Sequence, residues 1–329
     1  MNTDREYMWR CFQLAQLGAG KVSPNPLVGS VIVHNERIIG EGYHIQYGCP
    51  HAEVNAIDSV KDKSLLPFST LYVNLEPCCH WGKTPPCAER IVKEGIKKVV
   101  IANSDSNPKV CGGGIKILKD NNIKVTTGVL EDEGRFLNRR FFTYQEKKRP
   151  YIIFKWAETI DGFMDTDHKS TKQWITNDIL RVWTHKQRAE NDAVLVGFNT
   201  ILNDNPQLNV RYYFGKNPKR ITVVRKNSLN KNICSKFNFF DKSQPTAIYE
   251  TSSIEEVINS LYEDKITSII VEGGRKTLDK FIELNLWDEA TVLTGNKIFN
   301  SGLKAPVLNG KYTEQHFGDN HIRFYFNKN

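Results

Sequence analysis

The chain has 329 residues, 40% hydrophobic and 25% charged, which favours two ordinary globular domains over one. No stretch is apolar for long enough to cross a bilayer, and the opening "MNTDREYMWR" lacks the layout of a secretory signal, so a cytoplasmic enzyme or binding protein is expected. The net charge is +8, made up of +2 through residue 146 and +6 beyond it, with no dense Lys/Arg stripe; this argues against a nucleic-acid partner and suits small ligands that bear phosphate.

Residues 4–20 read as a helix, with Met8, Cys11, Phe12, Ala15 and Leu17 at helical spacing. "VSPNPLVG" is a turn-rich loop, and "SVIVHNERIIGEGYH" a strand hairpin turning at His34-Asn35. Pro50 opens a helix to about Val60, "STLYVNLEPC" is a strand running into a loop, and "PPCAERIVKEG" is again a Pro-started helix. "KVVIANSD" is the next strand, and "GIKILKDNNIKVTTGV" a helix then a strand. The charged "YQEKKRP" separates this from a second alternation that starts at "YIIFKWA". Helices there fall on "NDILRVWTHKQRAE", "SIEEVINSLYED" and "TLDKFIELNL", between strands "DAVLVG", "KRITVVR", "PTAIYE", "ITSIIVEGG" and "EATVLTGN". Both halves are therefore α/β, with domains expected at 1–146 and 147–329.

Seven cysteines, six of them before residue 112, are too few and too uneven for a disulfide framework and point to metal binding or catalysis in the first domain. His51, Cys78 and Cys87 supply one nitrogen and two sulfurs, the donor set of a catalytic zinc with an open fourth position. His51 and Cys87 fall at predicted helix starts, where free N–H groups favour a thiolate. Glu53, two residues past His51, has the wrong spacing to share its helical face and should aim past the metal. A carboxylate beside an activated water can take its proton and hand it to a leaving amine. Zinc deaminases combine H-x-E with a later P-C-x-x-C, the Glu not being a ligand. Here the second half is P-C-x₈-C, with "CHWGKTPP" between the thiolates. Cys79 is a rival ligand; Cys78 is preferred because it directly follows Pro77.

"EPCCHWGKTPPC", with "PNPLVG" at 24–29 and "DSNPKVCGGG" at 105–114, resembles the deaminase half of the bifunctional riboflavin-biosynthesis deaminase/reductase family. The resemblance continues through "FKWAETIDG", "QWITND", residues 185–211 and "VEGG", and fades after about residue 295. It implies a cytidine-deaminase-like three-layer α/β/α domain followed by a dihydrofolate-reductase-like α/β domain, one Zn²⁺ per chain, NADPH, a phosphoribosylated pyrimidine as substrate and a homo-oligomer, dimer or tetramer. It implies zinc on His51, Cys78 and Cys87, acid/base work by Glu53, and substrate contacts from Asn25, His80, Lys83, Thr84, Asp105 and Asn107. In the second domain it implies cofactor contacts from Ala157, Trp174, Thr200, Asp204, Gly273, Gly274, Arg275, Lys276, Thr277 and Leu278. Lys172, Arg188, Leu208, Arg211 and Glu272 should face the substrate. Asp204, Glu272 and Lys155 are each candidates for the proton donor.

Lys172, Arg225 and Lys226 depart from the family pattern. Arg225, Lys226, Arg275 and Lys276 together form a candidate cradle for the extra phosphate of NADPH. The "HWGKTPP" insert speaks against a nucleic-acid base deaminase, and Glu53 against a zinc-stabilised regulatory protein.

Overall fold

The structure is a computed structural model and describes residues 3–81, 85–108, 110–166, 174–226, 229 and 236–327. The chain divides into two compact units, Met1–Lys147 and Lys148–Asn329. Among the described residues no helix is long and apolar enough to cross a membrane.

The first unit is a five-stranded sheet in the order β2-β1-β3-β4-β5. Its strands are β1 (Gly29–His34), β2 (Arg37–Tyr43), β3 (Thr70–Leu75), β4 (Lys98–Asn103) and β5 (Lys124–Thr126). β1 pairs antiparallel with β2 and β3, while β3, β4 and β5 run parallel. Side chains on a strand alternate between faces, and the sequence uses this to build two cores. Ile32, Leu71, Val73, Val99 and Ile101 meet α2 (Ala52–Ser59), α3 (Cys87–Lys93) and α4 (Gly113–Asp120) on one side. Val31, Val33, Tyr72, Val100 and Ala102 meet Met8, Cys11 and Phe12 of α1 (Thr3–Gln16) on the other. Two further helices, α5 (Glu131–Leu137) and α6 (Arg139–Lys147), close the unit.

The hairpin turns at Asn35-Glu36, one residue later than the sequence suggests, because His34 pairs with Arg37. Both turn residues take positive φ, 46° and 60°, the geometry whose twist matches a two-residue hairpin. The helix expected at Pro50 begins at Ala52, with His51 in extended conformation as its cap.

The second unit is an eight-stranded sheet in the order β10-β9-β8-β11-β6-β12-β15-β14. β6 (Tyr151–Thr159), β8 (Ala193–Gly197), β9 (Lys219–Val224), β10 (Thr246–Glu250), β11 (Ser268–Gly273) and β12 (Glu289–Gly295) are parallel. β14 (Tyr312–Phe317) and β15 (Asn320–Phe326) add an antiparallel hairpin, and β7 (Phe163–Asp165) pairs with β13 (Leu303–Lys304) apart from the sheet. Phe154, Trp156, Leu195 and Val271 face α9 (Ile254–Glu263) and α10 (Arg275–Glu283). Leu293 and Ile322 face α7 (Asp178–Glu190), and Val194 and Val196 face α8 (Phe198–Asp204). Alternation therefore places Lys155 and Ala157 of β6 and Glu272 of β11 opposite α9 and α10, on the α7 side.

Candidate active site

In the first unit α2 lies hard against β2. A Cβ on Gly42 would come within 2.3 Å of Ala56 N and 2.6 Å of Ala52 O, so only glycine lets the first turn of α2 settle there. That turn carries His51 and Glu53. Cys78 sits in the loop after β3, and Cys87 is the first residue of α3. The Ala88 N–H donates to Cys78 O (3.1 Å) and the Cys87 N–H to Cys78 Sγ (3.3 Å), which ties the loop to the helix start.

The donor atoms of His51, Cys78 and Cys87 lie within 4.8 Å of one another. His51 Nδ1 is 3.5 Å from Cys78 Sγ and 3.4 Å from Cys87 Sγ. Zinc bonds of tetrahedral geometry to imidazole and thiolate set a nitrogen–sulfur separation of about 3.6 Å, so the three side chains already stand near the spacing such an ion needs. Hydrogen bonds from Cys87, and the neighbouring His51, hold the Cys78 thiol down at about 4, well into thiolate. The Cys78 contact in turn raises His51 to about 9. A metal entering this site therefore displaces a proton from His51. Cys79 points elsewhere: its Sγ reaches Val110 O at 3.7 Å and packs where a Cβ on Gly113 would fall.

Glu53 is 3% exposed, and burial pushes its carboxyl up to about 7, with the nearby His51 opposing. The group can therefore hold or release a proton near neutrality.

The substrate residues expected from the sequence fall unevenly. Asp105 is buried, and burial raises it to about 6; its Oδ1 accepts from the Asn107 N–H at 2.7 Å. His80 is exposed, while Lys83 and Thr84 lie outside the described residues. Asn25 contacts His44, which the sequence reading passed over. His44 Nδ1 lies 3.2 Å from Pro50 O, which can only accept, so Nδ1 carries the hydrogen and Nε2 accepts from Asn25 Nδ2 at 3.1 Å. Burial favours this neutral ring.

Glu76 is a second residue the sequence reading missed, although it opens the "EPC" motif. It is 4% exposed, and its carboxylate accepts from three backbone N–H groups: Asp105 and Gly112 at Oε2 and Ile115 at Oε1, each at 3.1 Å. A Cβ on Gly114 would sit 1.9 Å from Pro77 O, so glycine lets the same loop close over the motif.

In the second unit Arg188 of α7 forms a forked pair with Glu272, Nε and Nη2 each 2.6 Å from a carboxylate oxygen, and Nη1 donates to Asn209 O at 3.2 Å. Burial alone would raise Glu272, but Arg188 and Lys155 draw it down to about 2. Lys155 lies beside this pair, its amine lowered by burial. His185 accepts the Arg211 N–H at Nδ1 (3.2 Å) and is lowered to about 4 by burial and by Arg188 and Arg211. Arg211 also donates to Asn209 Oδ1 at 2.8 Å, and Leu208 is buried with φ 52°. Lys172 lies outside the described residues.

Thr200 packs at Gly273 and Gly274, within 3.2 and 3.0 Å of where their Cβ atoms would stand, at the start of α10. Lys276 and Thr277 line a cavity of about 280 Å³ with Gly197, Arg225, Thr251, Ser252 and Lys280. Of the other expected cofactor residues, Ala157 is on β6, Trp174 is exposed beneath the Arg181 guanidinium (4.4 Å), and Asp204 is exposed at the end of α8. Leu278 is buried in the core, so only its backbone is available. Arg275 is tied to Asp279 (2.6 Å) and to the Lys304 and Ala305 carbonyls. A second cavity of about 300 Å³, bounded by Trp156, Glu158, Lys304 and Arg323, holds none of the expected residues.

A buried carboxylate beside a one-histidine, two-cysteine cluster, in a unit separate from a glycine-lined α/β cleft, defines a two-part enzyme: a zinc-type pyrimidine deaminase joined to a reductase. The family model for the cytidine and deoxycytidylate deaminase zinc-binding region matches residues 1–103, and that for the RibD C-terminal domain matches residues 150–322. The chain is 39% identical to the riboflavin biosynthesis protein RibD of Aquifex aeolicus, over 95% of this chain and 92% of the relative. It is 36% identical to that of Bacillus amyloliquefaciens, over 97% and 91%. The solved diaminohydroxyphosphoribosylaminopyrimidine deaminase/5-amino-6-(5-phosphoribosylamino)uracil reductase of Thermotoga maritima superposes with a TM-score of 0.89 at 37% identity, covering 98% of both chains. The chain belongs to the RibD family, the bifunctional deaminase/reductases of riboflavin biosynthesis. Both fold expectations hold, and zinc and NADPH are its cofactors.

Proposed function

We propose that residues 1–146 deaminate 2,5-diamino-6-(5-phosphoribosylamino)pyrimidin-4(3H)-one and that residues 147–329 reduce the ribosyl group of the product to ribityl. The observation that carries this is the convergence of His51, Cys78 and Cys87 next to a buried Glu53. The three donors would hold the zinc, which would supply the Lewis acidity that makes water reactive near neutral pH. Glu53 takes the proton from that water and passes it to the departing amine, so a C–O bond replaces the C–N bond and ammonia leaves. Asn25, oriented by His44, and the Asp105–Asn107 turn, braced by Glu76, hold the polar edges of the pyrimidine.

In the second unit NADPH supplies the two reducing electrons. Of the three candidate proton donors we favour Lys155. Arg188 holds Glu272 ionised, which leaves it no proton to give, and Asp204 is exposed on α8. Burial makes the Lys155 ammonium more acidic than usual, as proton donation requires. Arg188 is committed to Glu272, so it positions that carboxylate, and Arg211 is the better partner for the substrate phosphate. Arg225, Lys276 and Lys280 would hold the extra phosphate of NADPH, with Arg275 serving structure instead. The reading includes a cytoplasmic homo-oligomer, dimer or tetramer, with neither nucleic acid nor membrane as partner.

Glu53→Gln tests it. The amide keeps the shape of the side chain but cannot accept the proton, so ammonia release from the diamino substrate should fall by about 10²–10⁴-fold. Zinc content and NADPH consumption with the deaminated substrate should be unchanged. Deamination surviving within a few-fold would remove Glu53 from the mechanism.

A further inference from the structure

The last hairpin carries chemistry that neither activity uses. Glu314 and His316 are two apart on β14 and so share one face, and His321 of β15 pairs directly with His316 across a two-residue turn at Gly318-Asp319. The turn is short and the register continuous over six pairs, so the three side chains are held at neighbouring positions on one rigid face. Their donor atoms lie within 4.8 Å of one another. Both imidazoles turn Nε2 toward the same carboxylate: His316 Nε2 is 3.0 Å from Glu314 Oε1, and His321 Nε2 is 3.8 Å from Oε2. Nitrogen and oxygen ligands on a tetrahedral ion with bonds of zinc length stand about 3.3 Å apart, between those two values. Arg323, paired with Glu314 in the register, directs Nη2 to Glu158 and Thr294 rather than into the cluster. A simple ion pair needs only one histidine. Two imidazoles facing one carboxylate repel when both are protonated and cooperate when both are neutral around a cation.

We propose that His316, His321 and Glu314 bind one borderline divalent transition-metal ion of the zinc, nickel or copper class on the outer hairpin of the second unit. Two imidazoles and one carboxylate favour these ions over magnesium or calcium. The exposure of His316 leaves the remaining positions open to water.

The test is equilibrium dialysis of the full-length protein against buffered micromolar zinc, followed by elemental analysis. The parent should hold two ions per chain. H316Q/H321Q should hold one and keep both catalytic rates, and Cys78→Ser should also hold one. With copper, the parent's electron paramagnetic resonance spectrum should show imidazole nitrogens that H316Q/H321Q lacks in the Cys78→Ser background. One ion in the parent and none in Cys78→Ser would overturn the hairpin site, as would two ions retained by H316Q/H321Q. One ion in the parent, kept by Cys78→Ser and lost by H316Q/H321Q, would support the hairpin and count instead against the deaminase assignment.

Discussion

Cys78 and Cys79 are neighbours with the same thiol, yet only Cys78 turns toward His51 and Cys87; Cys79 faces Val110 and Gly113. The direction follows from the loop, and the loop follows in large part from Glu76. Its carboxylate is the common acceptor for the N–H groups of Asp105, Gly112 and Ile115. A buried N–H left without an acceptor costs about 1–3 kcal/mol. Glu76→Gln puts an NH₂ group against at least one of these donors. The expected result is a KM for the diamino substrate about tenfold higher, with a smaller change in kcat, unchanged zinc content and unchanged reduction of the deaminated substrate. Steady-state kinetics with metal analysis checks it. Zinc lost along with activity would instead mean that Glu76 holds the whole unit together. The sequence marks His51, Glu53, Cys78 and Cys87 because the proposed chemistry restricts their residue types and spacing. Glu76 acts through hydrogen bonds to residues 29–39 positions away, and His44 through Asn25 and Pro50, so nothing in their immediate neighbourhood announces the role.

At the scale of elements, the strands were the more legible part. Runs such as "TLYVNL" and "KVVIAN" are bounded by polar segments and buried on both faces, as parallel strands between two helical layers require. Helix starts were less so: α10 begins at Arg275, two residues before the expected Thr277, since Gly274 at φ 74° lets the chain enter the helix directly after the glycines. That early start brings Lys276 and Lys280, four residues apart and so on one face, to the cavity with Arg225. Lys280 contacts Ser252 O there, a role that its local sequence does not reveal. A charge-assisted phosphate contact contributes about 1.5–3 kcal/mol. Lys276→Gln/Lys280→Gln should therefore lower kcat/KM for NADPH by about tenfold or more, with little effect on NADH. Equal losses with both cofactors would move the phosphate elsewhere.

At the scale of the molecule, the sites proposed for the two activities draw on separate sets of residues. The cluster of His51, Cys78 and Cys87 belongs to the first unit, whereas Lys155, Arg188 and Glu272 belong to the second and offer no sulfur or imidazole set for a metal. Removing metal from the whole protein with a chelator should abolish ammonia release. NADPH consumption with the deaminated substrate should stay at the parent rate, and zinc should restore deamination. Loss of both activities on chelation, with folding retained by circular dichroism, would show that reduction also depends on a metal.

The sequence by itself determined two α/β halves, the His51, Cys78 and Cys87 donor set, the carboxylate two residues from His51 and the glycine turn ahead of α10. Each depends on residue type and near-neighbour spacing, which the chain carries directly. The sequence already preferred Cys78 to Cys79 from its place after Pro77, and the tertiary structure turns Cys78 toward His51 and Cys87 while Cys79 faces Val110. Tertiary structure alone decided that Arg188 binds Glu272: β11 brings the carboxylate beside α7 from 84 residues away, and a buried guanidinium takes the nearest ionised partner. The pairing of His316 with His321 likewise exists only once β14 and β15 adopt their register, since a shift of one residue would send one imidazole to the other face.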